Sequence, residues 1–177
     1  MLFALLLIAP TTLAKVRLPK LVSDKMVLQR DVELNIWGWA SAGEKVTVRF
    51  NGAYYETEAN SNGEWSVLLP PQKAGGPYLL EVNELKVRDV LVGDVWLCSG
   101  QSNQETPIVR LVDKFPEINV SNNHMIRHYK VPTQETTDGV QQEIAGNAVW
   151  HSGVASEVLN WTALAYFYAQ EAYAKTK

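Results

Sequence analysis

Apolar and polar positions alternate along much of residues 15–90, with the period of two that a β-sheet with one buried and one solvated face requires. The alternation is clearest over residues 32–36 and 46–50. Further short apolar runs lie at Trp65–Leu69, Tyr78–Val82 and Leu85–Val90. Together these runs predict about six short strands.

Turn sequences separate the predicted strands. Asn51-Gly52, Asn62-Gly63 and Gly75-Gly76-Pro77 are rich in residues that tolerate positive φ in tight turns. Turn signals at intervals of roughly 8–12 residues are typical of a small all-β unit. We therefore predict a β-sandwich domain over residues 15–90.

The alternation stops at Val90. From there to Cys98 the chain is almost continuously apolar, as in a strand that is covered on both faces by helices. We therefore predict a buried strand here and a buried, unreactive thiol at Cys98. Ile126–Val131 is expected to form a second strand, and Ala148–Trp150 to begin another buried segment.

The last segment has the clearest helical period. Its apolar residues recur at i, i+3, i+4, i+7 and i+11, namely Trp161, Leu164, Ala165, Tyr168 and Ala172. We predict a buried helix with Asn160 as its N-cap and with Lys175 and Lys177 near its C-terminus, where cations are favoured. Strand, loop and helix in this order are typical of the opening of an α/β domain, which we place at residues 91–177.

A serine follows the predicted buried strand, in the sequence Gly100-Gln101-Ser102-Asn103. Open α/β folds place reacting groups just past the carboxyl ends of such strands. A helix that begins there would offer unpaired N–H groups to an oxyanion, and Gly100 would allow the sharp turn before it. The alternative is a capping serine, because Ser102 and Glu105 match the Ser-X-X-Glu capping box. The residues alone leave both functions open.

The chain begins with MLFALLLIAPTTLA, which has the apolar run and the small final residue of a signal peptide. The run is too short for a membrane span, which takes about 20 apolar residues. We therefore predict that residues 1–14 are a signal peptide and that the protein is secreted or periplasmic. A buried N-terminal strand is the alternative.

Charge and histidine content limit the partners. The 177 residues carry 16 Lys+Arg and 19 Asp+Glu, a formal net charge of −3, which offers no basic surface to nucleic acid or anionic lipid. His124 and His128 are predicted at the surface or at a strand edge, and His151 is predicted to be structural. We expect neither a metal ion nor an organic cofactor.

Three stretches resemble the sialate O-acetylesterase family, serine esterases of the SGNH-hydrolase type that remove acetyl groups from sugars. They are LPKLVSDKMVLQR (Leu18–Arg30), IWGWA (Ile36–Ala40) and VLVGDVWLCSGQSN (Val90–Asn103). The resemblance implies a β-sandwich followed by an α/β three-layer, flavodoxin-like hydrolase domain, which is incomplete in this chain. The substrate that it implies is an O-acetylated carbohydrate.

The resemblance also implies roles for the residues around position 102. Ser102 would be the nucleophile that forms an acetyl-enzyme, and its backbone N–H would be one oxyanion-hole donor. Gly100, Gln101, Asn103 and Glu105 would support the nucleophile loop.

Two features depart from the family's pattern. Gln104 stands where family members usually carry Met, and none of the three histidines has an Asp three residues before it. The family's general base lies in an Asp-X-X-His motif, so we expect this chain alone to be almost inactive and to need the remaining part of the same enzyme as its partner.

A non-catalytic module is the alternative function. In that case the β-sandwich would bind glycan or pack against a partner, and the hydrolase segment would be vestigial. Trp37 and Trp39 lie two apart and so share one face of a strand. Packing in a core or between domains is favoured for this pair, with sugar stacking as the alternative.

Overall fold

The computed structural model describes residues 16–176, so the predicted signal peptide lies outside the described residues. The strands are β1 (Val27–Gln29), β2 (Leu34–Trp39), β3 (Lys45–Phe50), β4 (Ala53–Glu58), β5 (Glu64–Leu69), β6 (Gly75–Val82), β7 (Leu85–Gly93), β8 (Asn122–Tyr129) and β9 (Trp150–Val154). The helices are α1 (Ala155–Val158) and α2 (Ala163–Thr176), and 3₁₀ turns lie at Ile108–Arg110 and Pro116–Val120.

The first seven strands form two sheets. One is five-stranded in the order β1-β7-β6-β3-β4, and it is mixed because β1 runs parallel to β7 while the other pairs are antiparallel. The other consists of β2 and β5 alone. Asn51 and Gly52 both have positive φ, 48° and 80°, and they make the tight turn between β3 and β4 that the Asn-Gly pair predicts.

Both sheets contribute to one apolar core. Its buried members include Leu34, Ile36, Val46, Val48, Phe50, Trp65, Leu69, Leu80, Val82 and Val90. Leu34 and Ile36 of the first alternating run, and all three apolar positions of the second, therefore point inward, as predicted, whereas Val32 is 45% exposed. The all-β character of this region follows the pattern in the sequence, whereas the specific sandwich geometry stays a prediction.

Two predictions for this region are wrong. Gly75-Gly76-Pro77 is not a turn between strands but lies inside β6, where the pairing register with β7 shifts. The strand predicted from Val90 to Cys98 is instead the end of β7, which begins at Leu85 and stops at Gly93. Beyond Gly93 no described strand pairs with the apolar run, so the run lies outside the sheet.

A second apolar cluster organises the remainder of the described chain. It is built on Ile108, Ile118, Ile126, Val158, Trp161, Ala163 and Tyr166. β8 and β9 pair antiparallel beside it, close to the segments predicted as a second strand and as the start of another buried segment. No helix among residues 16–176 is long and apolar enough to cross a bilayer.

Helix α2 differs in detail from its prediction. The hydroxyl oxygen of Thr162 accepts a hydrogen bond from the Ala165 N–H at 3.2 Å, so Thr162 rather than Asn160 caps the helix. The buried face carries Ala163 and Tyr166, while Leu164 is 61% exposed. The apolar period was read correctly as helical, but the helix is apolar on several sides and the sequence did not indicate which side faces the core.

Polar contacts connect the second cluster to the first. Arg127 on β8 has a side chain that is only 2% exposed, and its guanidinium contacts the Asp89 carboxylate on β7 at 2.8 Å. The same guanidinium donates to the hydroxyl of Ser152 on β9. Lys25, just before β1, bonds the carboxylate of Glu157 on α1 at 2.8 Å.

We predict that Arg127→Met lowers the free energy of unfolding by about 2 kcal/mol. The substitution removes a buried, charge-assisted contact, but the Asp89 carboxylate that it leaves behind is 39% exposed and stays partly solvated, which moderates the loss. Urea denaturation of the parent and the variant measures the difference.

The matched control is Arg49→Met. Arg49 also pairs with a carboxylate from its sheet, that of Glu81 at 3.2 Å, but its side chain is 52% exposed. Such an exposed pair contributes about 0.5 kcal/mol or less. Equal losses for the two variants would show that burial of Arg127 has no special weight in holding the two clusters together.

Candidate functional site

Ser102 lies on the surface, in a turn that spans residues 101–105. Nine positions separate it from the end of β7, and the apolar segment between them is uncovered. Trp96 is 61% exposed and Leu97 is 92% exposed, and the thiol of Cys98 is exposed as well. The predictions of a buried strand and a buried thiol are wrong here, because an apolar run is buried only where other elements cover it.

The turn is closed by backbone hydrogen bonds. The N–H of Gln104 donates to the carbonyl of Gln101 at 2.9 Å, and the N–H of Glu105 donates to the carbonyl of Ser102 at 3.2 Å. The predicted helix after Ser102 is therefore a single turn. Among residues 16–176 the Ser102 hydroxyl has no hydrogen-bond partner, so the predicted capping box with Glu105 does not form. The N–H groups of Ser102 and Asn103 are likewise unpaired within this part of the chain.

Gly100 has a packing role in this turn rather than the conformational role that was predicted for it. Its φ is not among the positive values. A Cβ at this position would lie 3.1 Å from the Cβ of Gln104, which is tighter than most contacts of this kind. A glycine at position 100 therefore lets the side chain of Gln104 approach the backbone.

Gln104 anchors the Ser102 turn to the start of α2. Its side-chain amide donates to the hydroxyl oxygen of Thr162 at 3.3 Å. Two backbone bonds follow the same path, from Ala163 N–H to the Thr106 carbonyl at 2.8 Å and from Ile108 N–H to the Trp161 carbonyl at 3.0 Å. From the sequence, Gln104 is notable only because it departs from the family's usual Met. That departure is the signal that could have pointed to its contact with Thr162.

Two of the histidines face each other across the β8–β9 pair. His128 lies opposite His151 in the register. The ring of His128 stacks on Trp161 with centroids 4.9 Å apart and an interplanar angle of 21°, and its Nδ1 is buried with no partner among the described residues. His124 is exposed, as predicted, and His128 lies on an edge strand, since β8 has no partner other than β9 among the described residues, but its ring is largely covered.

Burial lowers the pKa of His128 from its ordinary 6.5 to about 4, and the neighbouring positive charges of His151 and Lys130 lower it in the same direction. The imidazole is therefore neutral at physiological pH. A neutral ring packs against Trp161 without the cost of burying a charge.

Glu157 gathers several donors at the same end of the β8–β9 pair. Its carboxylate accepts from the Ser152 N–H at 2.7 Å and lies 3.4 Å from the Nδ1 of His151. Burial alone would raise the pKa of Glu157, but the hydrogen bonds from Lys25 and from the Ser152 N–H bring the pKa below its ordinary value. His151 is thus a structural, partly exposed residue, as predicted.

Among residues 16–176, no three His, Cys, Asp or Glu side chains come close enough together to hold a metal ion. Packing in a core, one of the two positions favoured for the tryptophan pair, is not what the structure shows, and packing between domains stays a prediction. Trp37 and Trp39 stand side by side on the outer face of β2, with ring centroids 5.0 Å apart, and both are only half-buried. They are not members of either apolar cluster.

No family model matches the chain. The individual proteins that match it are all acetylesterases. A sialate O-acetylesterase from Pongo abelii is 30% identical over 151 residues, which cover 76% of this chain and 29% of the relative. The sialate O-acetylesterase from Homo sapiens is 30% identical over 150 residues, with the same two coverages.

Among solved structures, a carbohydrate acetylesterase from Xanthomonas citri has a TM-score of 0.88 and 38% identity, and the match covers 92% of this chain and 38% of that one. The fold and the sequence thus define a homologue of carbohydrate acetylesterases. Within that class the chain belongs to the sialate O-acetylesterase family, as its resemblance predicted, and it spans 29% of the length of the two curated relatives.

We predict that His128→Phe removes much of the protein's sensitivity to mild acid. The folded-state pKa of about 4 lies below the ordinary 6.5, so the unfolded chain takes up a proton first as the pH falls. Stability is complete above pH 6.5 and is lost on the way down to pH 4, by about 2–3 kcal/mol between pH 7 and pH 4.5. Phenylalanine keeps the stacking on Trp161 but carries no titrating group.

Urea denaturation at pH 7, 5.5 and 4.5 checks this expectation. The control is His124→Phe on the same strand, where the parent histidine is exposed and the parent's pH dependence should be retained. The lowered pKa of Glu157 adds a loss in the same direction, but at lower pH. A His128→Phe protein that loses as much stability as the parent between pH 7 and 5.5 would contradict the assignment.

Proposed function

We propose that this chain is the nucleophile-bearing part of an esterase that removes O-acetyl groups from carbohydrates, with Ser102 as the residue that is acetylated. The observation that carries the proposal is the state of the turn at Ser102. An exposed hydroxyl stands beside the backbone N–H groups of Ser102 and Asn103, and none of the three has a hydrogen-bond partner in the part of the chain that the structure describes. A nucleophile and an oxyanion hole of an acyl-transfer enzyme need these groups.

The chemistry assigned to Ser102 is a two-step acyl transfer. The Oγ attacks the acetyl carbonyl carbon while its proton passes to a general base, and the sugar oxygen leaves with a proton from that base. Water then attacks the acetyl-enzyme and releases acetate. Each backbone N–H aimed at the oxyanion contributes roughly 3 kcal/mol of transition-state stabilisation.

The anchoring of the turn supports this assignment. Gln104 and the Ile108–Trp161 bond hold the loop on α2 and on the second apolar cluster. A nucleophile must be held near its productive position because a displacement of about 1 Å is costly in rate. Gly100, Gln101, Asn103 and Glu105 serve as the loop around Ser102 in this proposal.

The uncovered apolar surface supports a larger assembly. Val95, Trp96 and Leu97 are exposed next to the exposed Leu164 and Tyr168 of α2, and Trp96 contacts Tyr168 with centroids 5.2 Å apart. Contiguous apolar surface of this kind marks an interaction site. We assign it to the remaining polypeptide of the same enzyme, which would complete an α/β three-layer domain of the SGNH type behind the β-sandwich and supply the histidine base. Export from the cell belongs to the same proposal.

The test uses a chimaera in which this chain replaces the part of the Xanthomonas citri enzyme that it matches. We predict that the chimaera hydrolyses 4-nitrophenyl acetate and acetylated sugars and that Ser102→Ala lowers its kcat by about 10⁴-fold or more. The chain alone should remain close to the uncatalysed rate, because the base and the other oxyanion donors are supplied elsewhere.

Ser99→Ala in the chimaera is the matched control, since Ser99 lies in the same exposed segment and should change kcat by less than about threefold. Mass spectrometry of the acid-quenched chimaera should find the acetyl group on residue 102. An active chimaera whose kcat survives Ser102→Ala would remove this serine from the mechanism.

A further inference from the structure

The outer face of the β2–β5 sheet carries a shallow groove of about 350 Å³. Its walls are formed by Trp37, Gly38, Trp39, Glu64, Trp65 and Gln142. The volume lies at the lower end of the range for small-molecule sites, about 300–1,000 Å³. The Ser102 turn contributes nothing to it, so the groove is separate from the esterase site proposed above.

The aromatic part of the groove is held in place. The rings of Trp37 and Trp39 meet at 72°, and the guanidinium of Arg17 lies 3.5 Å from the centroid of Trp39. Arg17 is itself fixed by the carboxylate of Glu143 at 3.2 Å. The cation–π contact and the ion pair preorganise a pair of indole rings that would otherwise be free to turn.

The floor of the groove rests on the first apolar core. Trp65 is 3% exposed and belongs to that core, although it also borders the groove. It pairs with Gly38 in the β2–β5 register, and a Cβ at Gly38 would come within 2.9 Å of its Cζ2. Because side chains alternate along a strand, Trp65 lies on the inner side of the sheet and Trp37 and Trp39 lie on the outer side. Trp65 therefore supports the groove from within and leaves the ligand contacts to the outer pair.

The groove combines the two surfaces that a sugar needs. The face of a pyranose ring presents C–H groups, which pack well on indole faces, and its hydroxyls need donors and acceptors at the edge. Glu64 and Gln142, both wall residues, bring a carboxylate and an amide to the groove. The carboxylate of Glu64 accepts from the side-chain amide of Asn60 at 3.4 Å and keeps further acceptor capacity, which a purely apolar partner would desolvate.

Charge selects among sugars. Arg17, the cation that stacks on Trp39, is already paired with Glu143. The carboxylate of Glu64 is left without a cationic partner among the described residues, so an anionic sugar such as sialic acid would meet repulsion. We propose that this groove is an accessory binding site for a neutral glycan chain. The inference takes one point from the proposed function, namely that the ligand is a carbohydrate.

Calorimetric titration of the 177-residue chain with xylohexaose, cellohexaose and maltohexaose tests the proposal. These probes are unacetylated, so turnover at Ser102 does not interfere. We expect at least one of them to bind with a Kd of about a millimolar or below. Trp37→Ala should weaken that binding at least tenfold, whereas Trp37→Phe should restore part of it.

Trp96→Ala is the matched control, because Trp96 is an exposed tryptophan outside the groove; it should leave the affinity unchanged, and so should Ser102→Ala. Thermal unfolding of Trp37→Ala separates loss of ligand contacts from loss of fold.

No binding of any hexasaccharide, or binding that Trp37→Ala does not alter, would overturn the proposal. Tighter binding of 3′-sialyllactose than of the hexasaccharides would overturn the choice of a neutral ligand. Because Ser102→Ala retains the groove, failure of the esterase proposal and failure of this one give different results.

Discussion

The buried guanidinium of Arg127 is the polar interaction that most constrains how the two halves of the structure meet. The two apolar clusters share no buried member, although Trp150 of β9 packs against the first one. A guanidinium that is 2% exposed requires charged or polar partners, and Asp89 and Ser152 are the ones it finds. Asp89 adopts a φ of 57°, a conformation that aspartate tolerates better than most residues. The side chains of the exposed ion pairs stay in contact with water, so they do not require a protein partner in the same way.

The Ser102 turn is attached to the part of the chain that builds the second apolar cluster. Within residues 16–176 the turn makes no hydrogen bond to the five-stranded sheet; Gln104 bonds to Thr162, and the residues just after the turn bond to Trp161 and Ala163. Trp161 in turn stacks on His128, whose neighbour in the chain is Arg127. A path of direct contacts therefore leads from the candidate nucleophile, through an aromatic pair, to the strand that holds the first sheet.

Local patterns in the sequence predicted the parts of the fold that local physics decides. Strand β3 and the Asn51-Gly52 turn follow from alternation and from positive φ, both of which are visible over a few residues. β4 was missed because it is an edge strand with no fully buried position, so its sequence shows no apolar alternation. The segment after Gly93 was assigned to a buried strand because it is apolar. Whether such a segment is covered depends on distant parts of the chain, about which its own residues say nothing. The role of Ser102 is a prediction from resemblance to a family, whereas its anchoring through Gln104 depends on Thr162, a residue far along the chain that no local pattern connects to it.

The hydroxyl oxygen of Thr162 takes part in two bonds at once. It accepts the N–H of Ala165 in the first turn of α2, and it accepts the side-chain amide of Gln104 from the serine loop. Opening of the helix end and release of the loop thus become a single local event rather than two. The rate at which backbone amides in the first turn of α2 exchange with solvent deuterium is, for this reason, also a measure of how firmly the loop is held.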